Sequence, residues 1–341
     1  MKDSQQQNTI LDLAAALKLS PATVSRAMNN TSYVKKETRE RVLEMAATLG
    51  YRKNTMAAGL RNNKTNTVGL ILPQISMYFH AAVATVIQNL LHPRGYQLII
   101  GQSNDDPAME KDLADAFFSS RVDALLVSCT LYNSDFSHFD IFKTHQVPVL
   151  FYDRVPPLTY PALVIKGDDF NGGYLAGKRL AAAGCKCIAL ISGPDTSNLY
   201  RDRSAGFLQA LHEEKLMPED HLIYSQPLTA EHTLAALEIM FSAENKPDGI
   251  FVTSDRNAVT IVEFARKKGI AVPDQLKIIG YSNDPIAAVI TPPVTTVAQF
   301  PALFAEKLVE TLLVLLRADN ATAVDVLPVV IPVELIERSS G

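Results

Sequence analysis

The sequence predicts a small all-α head followed by a larger α/β core built of two parallel βα subdomains. Three observations point there. The chain has 341 residues, too long for one ordinary domain. From Val68 onward, short apolar runs alternate with stretches of helical periodicity. Residues 1–66 hold 11 Lys+Arg against 5 Asp+Glu, leaving 21 against 31 of the chain's 32 and 36 for the rest. A basic end on an acidic body suits a polyanion-binding module attached to a core that polyanions repel.

The core follows from its apolar runs: VGLILP, YQLIIG, DALLVS, VPVLFYD, ALVIK, CIALIS, DGIFVTS and LKIIGYS. Between most of them lie helical patterns, for example residues 81–91, 172–183, 205–211 and 257–267. Continuous apolar strands alternating with amphipathic helices predict parallel sheets covered on both faces. There are more strands than one small sheet holds, hence two similar subdomains. The final VLPVVIPVELIER contains prolines that suit edge or terminal strands.

The first fifty residues have a different pattern. Thr9, with Asp12 three positions on, resembles a capping box opening a helix over residues 10–17. Lys18-Leu19 makes a short turn, Ser20 is a good N-cap, and Pro21 opens a second helix through Met28. A third runs over residues 36–49 with Val42, Met45, Ala46 and Leu49 on one face and Gly50 as its stop. Residues 54–60 could add one short helix before a polar link at 61–66. Two short helices joined by a tight turn have helix-turn-helix geometry. The second presents Pro21, Ala22 and Thr23 at its tip and Arg26 one turn later. Spacing alone fits a generic three-helix packing unit equally well.

At 47% hydrophobic and 20% charged residues the chain can bury a large core. No apolar run approaches the roughly 18 residues that span a bilayer. The start MKDSQQQNTILDLAAALK carries charges and glutamines where a secretion signal needs an apolar stretch, so a cytoplasmic protein is expected. Cys129, Cys185 and Cys187 fit a reducing compartment. Cys185 and Cys187 flank one residue and would share a strand face. None has Cys or His partners at zinc spacing, so they are expected to be packing residues, with no metal or cofactor.

The segment from Thr9 to Pro73 carries D-L-A, S-x-A-T-V-S-R-A-x-N, V-x-x-x-T-R-x-x-V, L-G-Y, N-x-x-A-x-x-L and the strand VGLILP. It closely resembles the head, hinge and first core strand of the LacI/GalR family of bacterial regulators. Further matches follow at Arg203-Ser-Ala-Gly-Phe, Thr253-Ser-Asp-Arg-Asn-Ala, Ile279-Gly-Tyr-Ser-Asn and Pro293-Val-Thr-Thr-Val. The resemblance implies a helix-turn-helix domain at 1–52, a hinge helix and linker at 53–66, and an effector-binding, dimerising core at 67–341. That core would resemble the type I periplasmic-binding-protein fold, with an N-subdomain of about 67–165 and 294–323 and a C-subdomain of about 166–293 and 324–341. The function implied is a sequence-specific regulator, expected to be a repressor, acting as a homodimer on near-palindromic operator DNA.

Carried over by position, Pro21, Ala22 and Arg26 face bases. Arg can bond guanine bidentately, while Pro and Ala offer only apolar contact. Thr23, Ser25 and Asn29 would hold phosphates, and Thr9, Tyr33 and Asn54 complete the DNA-binding set. Leu60 matches an apolar wedge between central base pairs, with Ala57 allowing close approach; a leucine that merely packs the linker is the alternative. Gly59 weakens the hinge helix by up to about 1 kcal/mol.

The implied effector cleft lies between the subdomains, near strand ends. By position its candidates are Ser76, Phe79, Ser128, Asp153, Asp168, Arg203, Asp255, Ser282 and Asn283. Carboxylates, a guanidinium and hydroxyls suit a sugar-like, polyhydroxylated ligand. Each acidic residue alone fits a helix cap or solvated loop equally well; Arg203 and Asp255 have the best-matching surroundings. The chain departs from the family in having no Trp, in lacking an aromatic around Gln226-Pro227-Leu228, and in carrying Ser282 where Asp often follows G-Y. Tyr78, Phe79, Phe170 or Tyr281 could supply a ring, or be ordinary core. Sugar, sugar phosphate, nucleoside and phosphoprotein all stay open as effectors. No leucine heptads follow the last strand, which favours a dimer over a tetramer.

Two rivals come from other classes. An enzyme would show G-x-G-x-x-G, a P-loop or a G-x-S-x-G elbow, and none is present. The glycines Gly172, Gly173 and Gly177 have the wrong spacing, and the seven histidines form no pattern. A solute-binding receptor without a DNA role fits the core but not the head.

Overall fold

The computed structural model describes residues 8–28, 34–51, 64–317 and 328–341. The chain divides into two units, Met1–Thr65 and Asn66–Gly341.

In the first unit, helices α1 (Ile10–Leu17), α2 (Pro21–Met28) and α3 (Lys36–Thr48) pack around Leu13, Leu17, Val24, Ala27, Val42 and Ala46. The capping box forms: the Thr9 N–H donates to Asp12 Oδ2 at 2.7 Å, and the Asp12 N–H to Thr9 Oγ1 at 3.3 Å. Lys18 takes a left-handed φ of 56° to make the turn, and Ser20 Oγ accepts the Thr23 N–H at 3.1 Å to start α2. Gly50, at φ 61°, closes α3 in a Schellman motif, with the Tyr51 N–H donating to Ala46 and the Gly50 N–H to Ala47. The expected hinge helix at 54–60 lies outside the described residues.

The second unit holds two six-stranded sheets. The first contains β1 (Thr67–Leu72), β2 (Gln97–Gln102), β3 (Ala124–Val127), β4 (Val149–Tyr152), β5 (Leu163–Gly167) and β11 (Val329–Ile331), in the order β11-β5-β4-β3-β1-β2, all parallel. The second contains β6 (Ile188–Ser192), β7 (Ile223–Ser225), β8 (Gly249–Val252), β9 (Lys277–Ser282), β10 (Thr295–Ala298) and β12 (Glu334–Ile336). Its order, β12-β10-β9-β8-β6-β7, repeats the first, with only β12 antiparallel. Helices α4 (Tyr78–Leu91), α5 (Pro107–Ser119) and α6 (Asp140–Thr144) belong to the first subdomain; α7 (Asp169–Ala182), α8 (Asn198–Glu213), α9 (Ala230–Ser242), α10 (Asp255–Lys268) and α11 (Pro285–Val289) belong to the second. Helix α12 (Pro301–Leu315) returns to the first, burying Phe304, Leu308 and Leu312 beside Val83 and Ile87 of α4.

The chain therefore crosses between subdomains after β5, after β10 and after β11, which corrects the expected boundaries. Residues 295–298 belong to the second sheet because β10 pairs with β9, not to the N-subdomain segment 294–323. Residues 329–331 belong to the first because β11 pairs with β5, not to the C-subdomain segment 324–341. The proline-flanked strands β11 and β12 are sheet edges, as their sequence suggested. The shared face expected of the cysteine pair is also corrected. Both precede β6, and Cys185 packs with Leu180 and Phe207 while Cys187 joins the cluster on the opposite side of the sheet.

Candidate functional site

In the head, Val24 and Ala27 of α2 turn into the core, while Pro21, Ala22 and Arg26 are exposed. Thr23 and Thr9 also hold their own helices: the Thr23 hydroxyl lies 2.8 Å from Ser20 Oγ, and Thr9 Oγ1 donates to Asp12 Oδ2 at 2.7 Å. Asn29, Tyr33, Asn54, Ala57 and Leu60 lie outside the described residues.

In the core, strand order reverses between β1 and β3 in one sheet and between β6 and β8 in the other. Crevices outside strand C-termini at such switch points are where doubly wound sheets hold ligands. Arg203, 3% exposed on α8, sits there with its Nε donating to Asp169 Oδ1 at 2.8 Å and its Nη1 to the Thr253 carbonyl at 3.1 Å. Its guanidinium lies 3.6 Å from the Tyr281 ring centroid, and the Tyr281 hydroxyl donates to the same Asp169 oxygen at 3.1 Å. Two glycines make this possible. A Cβ on Gly173 of α7 would stand 1.9 Å from the Arg203 carbonyl oxygen, and one on Gly206 of α8 would stand 1.8 Å from that of Phe170. Only backbones bare at these points can come close enough to seat Asp169 beside Arg203.

Asp153 reaches the same place from the first subdomain, just past β4, in the left-handed region at φ 59°. Burial pushes its carboxyl up to about 6; Asp169 adds to this, and Arg203, Arg154 and the Gln299 amide oppose it. His80, 4.0 Å away, is held neutral because burial, and then Arg154, push it down to about 3. Asn198 clamps the subdomains together: its Nδ2 donates to the Asp153 carbonyl at 3.0 Å, and its Oδ1 accepts the Val155 N–H at 2.9 Å. Gln299, on the second crossover, donates to Asp153 at 3.3 Å and accepts from the Ser282 hydroxyl at 2.9 Å. Ser282 in turn lines a groove of about 480 Å³ with Tyr78, Phe300 and Glu306. The buried Ser128 hydroxyl has no partner among the described residues, and neither have those of Ser103 and Ser197. Buried polar atoms left this way mark a place for a polar ligand or water.

The other expected residues are used differently. Asp168 is the N-cap of α7, accepting the Asn171 N–H at 3.3 Å; its neighbour Asp169 is the one that meets Arg203. Asp255 accepts from the Thr296 hydroxyl at 2.7 Å and the Asp284 N–H at 2.8 Å, so both its oxygens brace the second subdomain. Burial pushes its carboxyl up to about 7 against those two donors. Phe79 packs edge-on against Phe304 in the first core, 5.1 Å between ring centroids. Asn283 Oδ1 accepts from Arg338 at 2.6 Å. Ser76 contributes a carbonyl, which accepts from Arg256 across the cleft. Of the rings that might replace a sugar-stacking aromatic, Tyr78 lines the groove, Tyr281 lies against Arg203 and Phe170 is exposed.

Sequence reasoning missed Asp169, Arg154, Asp105, Asn198 and Gln299. The first was legible: in D-D-F-N before a helix the first Asp is the cap, which turns the second inward. Arg154, whose Nη1 donates to Asp105 at 2.5 Å across 49 positions, carries no local signal.

Comparison with known proteins agrees with this geometry. The family of bacterial regulatory proteins, lacI family, matches residues 9–54, and a periplasmic binding protein-like domain matches residues 178–341. The HTH-type transcriptional regulator DegA of Bacillus subtilis (strain 168) is 32% identical over 294 residues, 86% of this chain and 87% of its own. The Lac repressor dimer bound to operator and the anti-inducer ONPF shares the fold at a TM-score of 0.85 and 24% identity, covering 98% of this chain and 99% of that one. A periplasmic binding protein/LacI transcriptional regulator from Alkaliphilus metalliredigens QYMF, complexed with D-xylulofuranose, gives a TM-score of 0.68 at 26% identity over 81% of this chain and 98% of its own. Among the described residues no helix is long and apolar enough to cross a membrane. Like its 32%-identical relative, which it matches over most of both lengths, this protein belongs to the LacI/GalR family and is a DNA-binding transcription regulator, not an enzyme.

Proposed function

We propose that this regulator is a cytoplasmic homodimeric repressor whose affinity for a near-palindromic operator is set by a small, sugar-like effector between its two subdomains. The observation that carries the reading is the exposed Pro21, Ala22 and Arg26 face of a helix whose apolar side is locked into the head. Arg26 reads guanine, Pro21 and Ala22 contact thymine methyls, and Thr9, Thr23, Ser25, Asn29, Tyr33 and Asn54 hold backbone and register. Leu60 wedges the central step, and Ala57 allows the close approach. Two-fold pairing of the heads suits two half-sites. The exposed Ile99 and Ile100, on the two sides of edge strand β2, give the core an apolar edge for self-association. Asp153, Arg203, Ser128 and Ser282 hold the effector. A Lac repressor crystallised as a dimer on operator, and a family member holding D-xylulofuranose, support both halves of the reading.

The test is fluorescence anisotropy of the full chain on a near-palindromic fragment and on random DNA at matched salt. Specific binding should exceed random by at least about 10³-fold, with two protected half-sites. Equal affinity for the two DNAs overturns the reading.

A further inference from the structure

Two helices begin at the same place. Helices α4 and α12 lie side by side, with Phe79 near one start against Phe304 near the other, 5.1 Å between ring centroids. Their first residues, Tyr78 on α4 and Pro301, Ala302 and Leu303 on α12, line the groove of about 480 Å³ beside Ser282 and Asn283. Neither start has a side-chain cap, and neither has an acid in its first turn. The opening N–H groups of an α-helix have no acceptor within it, and Pro301 removes only the first of those in α12. The groove therefore receives several backbone donors and the positive ends of two helix dipoles. Other helices at the cleft are built differently. α7 starts at Asp168 and Asp169 and α10 at Asp255, so a protein carboxylate already fills each start.

The side chains nearby point the same way. Arg256 of the second subdomain donates to the Ser76 carbonyl, two residues before Tyr78, and no carboxylate pairs with it among the described residues. Its exposed guanidinium thus stands at the start of α4 with most of its donors left over. The buried Ser128 hydroxyl has no partner among the described residues. Ala124 and Leu126 of β3 pack in the same core as α4, so by strand alternation Ser128, just past the end of β3, faces α4 as well. Arg154, also buried, leaves its Nε unpartnered, and its charge is felt at His80 in the first turn of α4. Each of these groups can donate. Glu306, exposed, is the one acid among the groove's lining residues. Asp153, 4.0 Å from His80, is an acceptor for a hydroxyl on the same ligand.

Given that this cleft is the effector site, we propose that its effector carries a phosphate or carboxylate group, seated between the starts of α4 and α12 with Arg256 at its side. Either anion offers what this surface lacks, acceptors that carry negative charge. Because α4 belongs to the first subdomain and Arg256 to the second, one anion there ties the two together.

The experiment is titration calorimetry of the full-length protein at fixed ionic strength against matched sets: free monosaccharides, the phosphate ester of each and the corresponding sugar acid. At least one ester or acid should bind about tenfold or more tighter than its neutral parent, and inorganic phosphate should compete with it. Whether ester or acid wins identifies the source of the anion. Arg256→Gln should weaken that ligand about tenfold or more. Ala302→Asp puts a carboxylate into the first turn of α12, a change that helix starts favour, and should weaken it further. Ala302→Asn, of the same size without the charge, should weaken it far less, and circular dichroism should show all three variants folded. A neutral parent that binds as tightly as its ester and acid, and loses that binding in Asp153→Asn, overturns the anion subsite while the effector cleft stands. An ester or acid that binds unchanged in Arg256→Gln and Ala302→Asp also overturns it, by placing the anion elsewhere. Silence from every set overturns the subsite and the cleft reading together.

Discussion

In the head, Pro21, Ala22 and Arg26 stand on the solvent side of one eight-residue helix, placed there by a serine cap and two inward apolar residues next to them in sequence. In the cleft, Asp153 and Arg203 arrive from different subdomains and are held by Asp169 and Gln299 at two crossovers and by Asn198 at the start of α8. Side chains of the first kind lie exposed at the surface of the head, outside its apolar cluster. Side chains of the second kind are structure and site at once. A family resemblance in sequence can point to both kinds, but it does not carry the distant partners that hold the second.

The comparison is broken most directly at Asp169. Asp169→Ala leaves the Arg203 guanidinium buried without its carboxylate, which should cost the core about 3–5 kcal/mol in urea unfolding. The head has its own apolar cluster and should keep its stability. A loss under about 1 kcal/mol would mean that Thr253 and Tyr281 suffice for Arg203, and that the cleft is as tolerant as the head.

Arg26→Ala should do the opposite. Core unfolding stays unchanged, while operator binding falls by about 1–3 kcal/mol for each base contact and preference relaxes at one symmetric pair of positions. If operator and random DNA lose affinity equally, Arg26 only positions the helix.

These two substitutions also mark how far the sequence could be read. The capped starts at Thr9 and Ser20, the Gly50 stop and the apolar strand runs are local signals, and the structure repeats them nearly residue for residue. Strand β7 and strand β10 escaped because IYS is short and TTVA is half polar; both are strands by virtue of their neighbours in the sheet. Missing β10 displaced the subdomain boundary and hid Gln299 on the crossover behind it. Asp255 read as a ligand contact because its surroundings matched a family motif; its two oxygens accept from the Thr296 hydroxyl and the Asp284 N–H, partners the motif does not contain. The groups that distinguish this cleft are paired across 34 to 49 positions, beyond any periodicity.

A smaller effect sharpens the account of Asp153. Its folded-state carboxyl titrates near 6 instead of 3.8, so the folded protein holds a proton that the unfolded chain has already released. Its contribution to stability therefore falls as pH rises from about 4 to about 6 and is level above that. The groups facing it are Asp169, Arg203, Arg154, Gln299 and His80, and His80 stays neutral throughout this window. Asp153→Asn removes the burden: its urea midpoint should gain on the wild type between pH 4 and pH 7, by at most about 3 kcal/mol in free energy. A difference that does not change with pH would show that Asp153 is ionised with full compensation.

The smallest effect tests whether the head is as separable as the comparison supposes. Thr9 is expected at the DNA, yet its hydroxyl donates to Asp12 and accepts the Asp12 N–H, closing the capping box of α1. Thr9→Ala should lower head stability by about 0.5–2 kcal/mol through loss of the cap. Thr9→Ser restores the oxygen and should recover most of it. A cap acts on folding alone, whereas a phosphate contact releases a counterion only if it neutralises charge, which a hydroxyl does not. Both variants should therefore keep the salt slope of operator binding. If Thr9→Ala weakens operator binding at temperatures where the head is still fully folded, and Thr9→Ser repairs it, the hydroxyl serves helix and DNA together. Binding that follows only the folded fraction assigns Thr9 to the fold and leaves α2 as the part of the head that reads.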